Sequence, residues 1–107
     1  MSAKPLYKVS FLSHARVYEL YARHVAGSAL WGFTEIGEFV FDVRDGLVVD
    51  PAEERLRDEF GDTRVLHIPM QHVLRIEEVE KKGQSAIRDA ATGEKVVTPF
   101  PVPAKPR

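Results

Sequence analysis

The side chains that could do chemistry are few, and histidine comes first among them. The 107 residues include four histidines and no cysteine. The histidines are His14, His24, His67 and His72. No two of them have the i, i+4 spacing of a zinc-binding helix, and the absence of cysteine excludes thiolate ligands and disulfides. His67 and His72 flank a turn and could approach each other, but this spacing does not predict a metal site.

Carboxylates are numerous, but their positions favour structural roles. Asp50, Glu53 and Glu54 fall at the start of a predicted helix, where acids cap the helix and complement its dipole. Glu77 and Glu78 lie on a predicted strand, where charged side chains at a sheet edge discourage unwanted pairing with other strands. The sequence contains no nucleophile elbow, phosphate-binding loop or dinucleotide-binding motif. We therefore predict no catalytic residue, no cofactor and no enzymatic activity.

Basic and aromatic residues are mixed along the first two predicted strands. The basic members are Lys8, Arg16, Arg23 and His24, and the aromatic ones are Tyr7, Tyr18 and Tyr21. Cations that bind phosphates and rings that stack on bases are what single-stranded nucleic acid binding needs. Alternation along a strand buries about half of such rings, and the chain has a net charge of −1. Binding of RNA or single-stranded nucleic acid is therefore the alternative function.

Protein–protein contact is the function that the sequence favours, since small sheets leave strand edges open to partners. Trp31 follows a predicted loop and could be partly exposed, but tryptophan is usually buried, so we expect it in the core. Arg75 could pair with Glu77 or with a neighbouring chain. The candidate binding residues of both functions are Lys8, Arg16, Tyr21, Arg23, His24, His67, His72 and Arg75. We expect a binding or adaptor module with an unidentified protein partner, and open edges would also allow a homo-oligomer.

The length and the N-terminal sequence point to one cytoplasmic domain. A chain of 107 residues can bury one core of its own. Met1–Lys8 has no apolar signal region, and no apolar run is long enough to span a bilayer. We predict a soluble cytoplasmic protein that makes no contact with a membrane.

Alternating hydrophobicity predicts a β-hairpin at the start of the chain. Leu6–Leu12 alternates between apolar and polar residues, which is typical of a half-buried strand. Val17–Val25 also fits a helix, but the short polar link before it favours a second strand. Leu30–Asp42 is predicted as a third strand. Gly32 and Gly37 interrupt it, and glycines inside strands mark bends or bulges.

A short helix is predicted at Pro51–Phe60. Asp50 at the N-cap and Glu53 at the third helical position form a variant of the capping box. Leu56 shares an apolar face with the last residue of the helix, and this face would dock the helix on the sheet. Gly61 is expected as the left-handed residue that ends the helix.

The elements around the helix are predicted to be strands and turns. Leu47–Val49 forms a short strand after an Asp-Gly turn at residues 44–46. Thr63–Ile68 is a strand that ends because the next residue is proline. Met70–His72 is a tight turn. Val73–Val79 fits a strand or a helix, and the strand is favoured.

These elements predict a mainly β, α+β fold with one domain over residues 1–83. The expected architecture is a small SH3-like or Sm-like barrel, or a rolled antiparallel sheet of about five strands, with one inserted helix. From Gln84 onward the apolar periodicity fades, and prolines crowd the end of the chain. Residues 84–107 are therefore predicted to form a disordered, flexible proline-rich tail.

Several runs of the sequence resemble a known family. These runs are Tyr7–Phe11, Tyr18–Val25, Gly32–Phe41, Val48–Phe60 and His67–Lys81. Through them, and above all through V-D-P-x-E-E-R and I-P-M-x-x-V-x-R-I-x-E-V, the chain resembles an uncharacterised family of short proteobacterial proteins, a domain of unknown function. The resemblance covers residues 5–83. It implies a bacterial cytoplasmic protein of similar length and no assigned activity.

A looser resemblance concerns small barrels. In SH3-like and Sm-like barrels a short 3-10 turn often precedes the last strand, as Pro69–Val73 would here. This resemblance implies a barrel with the helix inserted before the penultimate strand. The helix of Sm proteins is N-terminal instead, so their RNA binding does not carry over to this chain.

Overall fold

The computed structural model describes residues 4–42 and 50–96, which form one antiparallel sheet and one helix. The elements in chain order are β1 (Leu6–Ser13), β2 (Arg16–Gly27), β3 (Phe33–Val40), α1 (Pro51–Phe60), β4 (Val65–Pro69), a 3-10 turn (Met70–His72), β5 (Val73–Val79) and β6 (Ala86–Asp89). The predicted mainly β, α+β class is confirmed, since the described residues contain six strands in one open sheet. No helix in these two ranges has the length and apolarity needed to cross a membrane.

β1 and β2 form the predicted hairpin, and the helical alternative for Val17–Val25 is wrong. Val9 lies opposite Leu20, and Phe11 lies opposite Tyr18. All four side chains are buried in the core that also contains the apolar residues of α1. Because opposed residues of an antiparallel pair share a face, these positions define the face of the hairpin that packs against the helix.

The strand order shows that the sheet is rolled. The order is β4-β3-β2-β1-β5, with β6 paired to β2. β4 and β5 lie at opposite ends of this order, but only the 3-10 turn Met70–His72 joins them. A link this short spans at most about 14 Å, so the two edges come close at this end of the sheet. The likeness to SH3-like and Sm-like barrels stays a prediction.

β3 is shorter than the predicted third strand, because its first predicted residues belong to a turn. Gly37 lies inside β3 at a close approach, where an added Cβ would lie 2.9 Å from the carbonyl oxygen of Arg64. The residue with a positive φ is the next one, Glu38, with φ 53°. The predicted Asp-Gly turn and the strand at Leu47–Val49 lie outside the described residues.

Helix α1 has the bounds that the sequence predicts. The Oδ1 atom of Asp50 accepts a hydrogen bond from the N–H of Ala52 at 2.8 Å, as expected of an N-cap. Gly61 does not have the predicted left-handed conformation, since its φ and ψ are −59° and −32°. Glycine is needed there for a different reason, because a Cβ would lie 2.5 Å from the carbonyl oxygen of Arg57.

Glu53 forms a buried ion pair where the sequence predicts a capping box. Its side chain is 1% exposed, and its Oε1 lies 2.5 Å from Nζ of Lys82, whose side chain is 9% exposed. The second carboxylate oxygen accepts a hydrogen bond from the N–H of Asp42 at 3.2 Å. Nζ of Lys82 also lies 5.0 Å from the centre of the Tyr21 ring. These contacts tie the start of α1 to the end of β3 and to the segment after β5.

The chain beyond β5 continues the sheet, so the predicted tail begins too early. β6 pairs with the first half of β2, and its Ile87 is 1% exposed in the core. Hydrogen bonds from the N–H groups of Thr92 and Ala91 hold the turn after β6 and keep the pKa of the Asp89 carboxyl below its usual range. The sequence does not predict β6 because a strand of four residues is too short to show a hydrophobic periodicity. The proline-rich residues 97–107 lie outside the described ranges.

Tyr18 makes the folding stability of the protein depend on pH under alkaline conditions. Its hydroxyl donates to the Glu59 carboxylate at 3.1 Å. Burial first, and then the charge of Glu59, raise the pKa of Tyr18 above 10.0. The folded chain therefore holds this proton more tightly than the unfolded chain, and the resulting stability is lost as the pH rises through the folded-state pKa.

We expect the free energy of unfolding to fall more steeply above about pH 10 in the native chain than in Tyr18→Phe, since only the native chain has this proton to lose. Urea denaturation at a series of pH values measures the two slopes. Parallel curves for the two proteins would contradict the assignment of this effect to Tyr18.

Candidate functional site

Trp31 is the most exposed large apolar side chain of the described residues, at 95%. It lies in the connection between β2 and β3. The N–H of Phe33 donates to the carbonyl oxygen of Leu30 at 3.1 Å, which closes a four-residue turn around Trp31 and Gly32. Gly32 has a φ of 80°, as the third position of a type II turn requires. Trp31 therefore occupies the apex of the turn, and the expectation that it lies in the core is wrong.

Further hydrogen bonds attach this turn to the sheet. The N–H of Met70 donates to the carbonyl oxygen of Gly32 at 2.9 Å. The hydroxyl oxygen of Ser28 accepts from the N–H of Leu30 at 2.8 Å and lies 2.7 Å from Nδ1 of His67 on β4. The turn is thus held from β4 as well as from its own ends, and these contacts fix the backbone position of Trp31.

Three neighbouring apolar side chains are exposed here. Leu30, Trp31 and Met70 are 52%, 95% and 60% exposed, and we call them the Trp31 patch. Their backbones lie close together, because the N–H of Met70 is hydrogen-bonded to the carbonyl oxygen of Gly32, the residue after Trp31. Single exposed apolar residues are ordinary, whereas several close together make this turn the candidate site.

The histidines near the patch have structural contacts. Nε2 of His24 lies 2.6 Å from the Glu35 carboxylate, and Glu35 is the cross-strand partner of His67. His67 contacts Ser28 and so acts as a positioning residue behind the turn. Within residues 4–42 and 50–96, no three His, Cys, Asp or Glu side chains are placed to hold a metal ion.

A family model matches residues 5–102 of the chain, and it is described as a domain of unknown function (DUF1820). The chain belongs to this family. The match confirms the predicted membership and reaches beyond the predicted boundary at residue 83 to include β6. Searches of curated proteins and of solved structures found no match. Because the family carries no assigned activity, function has to be argued from the site itself.

The rings of the basic and aromatic hairpin are not available for base stacking. Tyr18 and Tyr21 are only 5% and 4% exposed. Lys82 covers the ring of Tyr21, and Tyr7 packs partly buried against the core. In this DUF1820 chain, the hairpin therefore lacks the exposed rings that the nucleic-acid hypothesis needs.

The cations of the same hairpin do not form one surface. Lys8 is half-buried in the sheet. Arg23 is exposed and donates to the carbonyl oxygen of Lys4 at 2.8 Å. Arg16 lies at the other end of β2, opposite Asp89 of β6. Their charges are thus spread along the strands and partly used in local contacts.

Two other predicted binding residues lie just before and within β5. His72 and Arg75 are both exposed. Nε of Arg75 lies 3.2 Å from the Glu77 carboxylate, which is one of the two pairings that the sequence suggested. Among the eight predicted binding residues, His67 contacts the turn that carries Leu30 and Trp31, and His72 belongs to the 3-10 turn that carries Met70.

Proposed function

We propose that this protein is a non-enzymatic binding module that contacts a partner protein through the Trp31 patch. The exposed indole on a hydrogen-bonded turn is the observation that carries the proposal. Because the backbone of this turn is already held by hydrogen bonds, it loses little conformational freedom on binding, and more of the burial energy of Trp31 is retained as affinity. Tryptophan is also enriched among the residues that dominate interface energies.

The patch fits a partner with an apolar pocket. Its three side chains carry no charge, and the indole N–H needs a hydrogen-bond acceptor once it is buried. Burial of an aromatic side chain removes roughly 150–250 Å² from water. At about 25 cal/mol per Å² this area corresponds to roughly 4–6 kcal/mol before the costs of association. We therefore expect Trp31 to supply the largest single contribution to the affinity.

We also infer that the module acts in the bacterial cytoplasm and that its sheet is related to SH3-like and Sm-like small barrels. The resemblance of its motifs to short proteobacterial proteins supports the first inference. The 3-10 turn Met70–His72 directly before β5 supports the second.

Substitution of Trp31 should abolish partner capture. We expect Trp31→Ala to weaken binding by at least about 30-fold, because truncation of a central anchor costs about 2 kcal/mol or more. The immobilised chain is used to capture partners from a lysate of the source bacterium, and the affinity is then measured with the purified partner. Val96→Ala is the matched control, since Val96 is an exposed apolar residue, at 39%, outside the patch.

Two results of this experiment would count against the proposal. Equal affinity of Trp31→Ala and the native chain would show that the patch is not the binding site. Loss of the captured partner on nuclease treatment would favour nucleic acid as the ligand. Circular dichroism of both variants checks that neither substitution disturbs the sheet.

A further inference from the structure

β5 is an edge strand of the sheet that the described residues form. β5 pairs with β1 on one side, and no other strand of residues 4–42 and 50–96 pairs with it. Leu74 and Ile76 are 54% and 43% exposed on this strand. An edge with free N–H and C=O groups and exposed apolar side chains can pair with a further strand.

Charged residues of opposite sign flank Ile76. Arg75 precedes it and Glu77 follows it, and their side chains are 71% and 39% exposed. Because side chains alternate along a strand, Arg75 and Glu77 project from the same face of the sheet. β5 therefore carries a positive and a negative charge at equal distances from Ile76.

Symmetry restricts how two copies of β5 can pair. In an antiparallel pair, directly opposed side chains point to the same face of the sheet. When a two-fold axis relates the two strands, one residue must therefore lie opposite its own copy, and the pair is centred on that residue. A pair centred on Arg75, on Glu77 or on Glu78 opposes like charges at the axis, which is destabilising. Leu74 lies where the pairing of β5 with β1 shifts register, so the strand is irregular there.

A pair centred on Ile76 satisfies all of these conditions. It places each Arg75 opposite Glu77 of the second copy, and it packs the two Ile76 side chains against each other. Opposite charges in such cross-strand positions contribute roughly 0.2–1 kcal/mol each. The register is therefore selected by charge as well as by the apolar centre.

We propose that the protein forms a symmetric dimer in which β5 pairs with β5 of a second copy, centred on Ile76. The two sheets are then joined edge to edge into one continuous sheet. The paired segment is short, so the dimer is reversible and depends on concentration. This proposal goes beyond the Trp31 patch, since none of the three patch residues belongs to β5.

Charge reversal tests the dimer and its register together. Sedimentation velocity over a concentration series should show a monomer–dimer equilibrium for the native chain. Arg75→Glu and Glu77→Arg are each expected to be monomeric over the same range, because like charges then oppose each other across the axis. The double variant R75E/E77R should dimerise again, since both opposed pairs regain opposite charges.

A mixture of the two single variants gives the sharpest result. Each variant alone is expected to be monomeric, but the mixture should form a heterodimer. Arg75→Glu is acidic at positions 75 and 77 and Glu77→Arg is basic at both, so each opposed pair then has opposite charges. Asp58→Arg, a charge reversal at an exposed position of α1, is the control and should leave the dimer unchanged. Urea denaturation verifies that every variant is folded.

Three outcomes would overturn the proposal. The first is a native chain that remains monomeric up to roughly 1 mM. The second is a dimer that survives either single charge reversal, which would require another interface. The third is a mixture of folded single variants that stays monomeric, because the Ile76-centred register requires these two variants to associate.

Discussion

Lys82→Met is expected to lower the free energy of unfolding by about 3–5 kcal/mol, because it leaves the carboxylate of Glu53 buried without a cation. The Glu53 side chain is 1% exposed, and Nζ of Lys82 is its partner at 2.5 Å. The same ammonium group donates to the carboxylate of Asp42 at 3.2 Å. A single substitution would therefore disconnect the segment after β5 from both Glu53 and Asp42. Guanidinium denaturation at neutral pH measures the loss.

A double substitution separates the ion pair from the packing around it. Glu53→Gln removes the buried charge and keeps an acceptor for the N–H of Asp42. We expect Lys82→Met combined with Glu53→Gln to be more stable than Lys82→Met alone, since no unpaired charge is then buried. Lys81→Met is the control, because Lys81 is exposed beside the pair. A cost below about 1 kcal/mol for Lys82→Met would contradict the buried ion pair.

Phe60→Ala is expected to cost about 3–5 kcal/mol, the second large effect in the fold. The ring of Phe60 lies 5.4 Å from that of Phe39, 5.8 Å from that of Tyr18 and 6.3 Å from that of Phe11. Its removal would take away the aromatic contacts that pack the end of α1 against the sheet. Alanine is the best helix former, so a loss of stability would report packing and not helix propensity.

Chemical denaturation of Phe60→Ala and of Arg57→Ala measures this packing contribution. Arg57 is exposed on the same helix, and its substitution should change stability by no more than about 0.5 kcal/mol. Equal stabilities of the two variants would show that the aromatic contacts of Phe60 do not hold the helix.

The elements that the sequence predicts correctly are those with local signals. Asp50 followed by proline defines the start of α1, and alternation defines β1 and β2. The buried pair of Glu53 and Lys82 depends on residues 29 positions apart, so no local pattern contains it. β6 was missed for a related reason, because its short apolar segment is stabilised by pairing with the distant first half of β2.

The candidate site was harder to predict than the fold. Tyr21 is one of the predicted binding residues, but it is only 4% exposed and Lys82 lies over its ring. Trp31 looked buried because large aromatic residues usually are. A local signal did exist, since glycine directly after Trp31 favours a type II turn with Trp31 at its second position. The hydrogen bond between Ser28 and His67 that supports this turn has no sequence signature.

The exposed indole offers the most direct test of the Trp31 patch as a binding site. Trp31 is the only tryptophan of the chain, so fluorotryptophan labelling gives one fluorine NMR signal for this position alone. In the free protein this signal should respond to solvent, as expected for an indole that is 95% exposed. On titration with the purified partner we predict a saturable shift and loss of the solvent response. A complex that forms while the fluorine signal stays that of the free, solvated indole would contradict the proposed function.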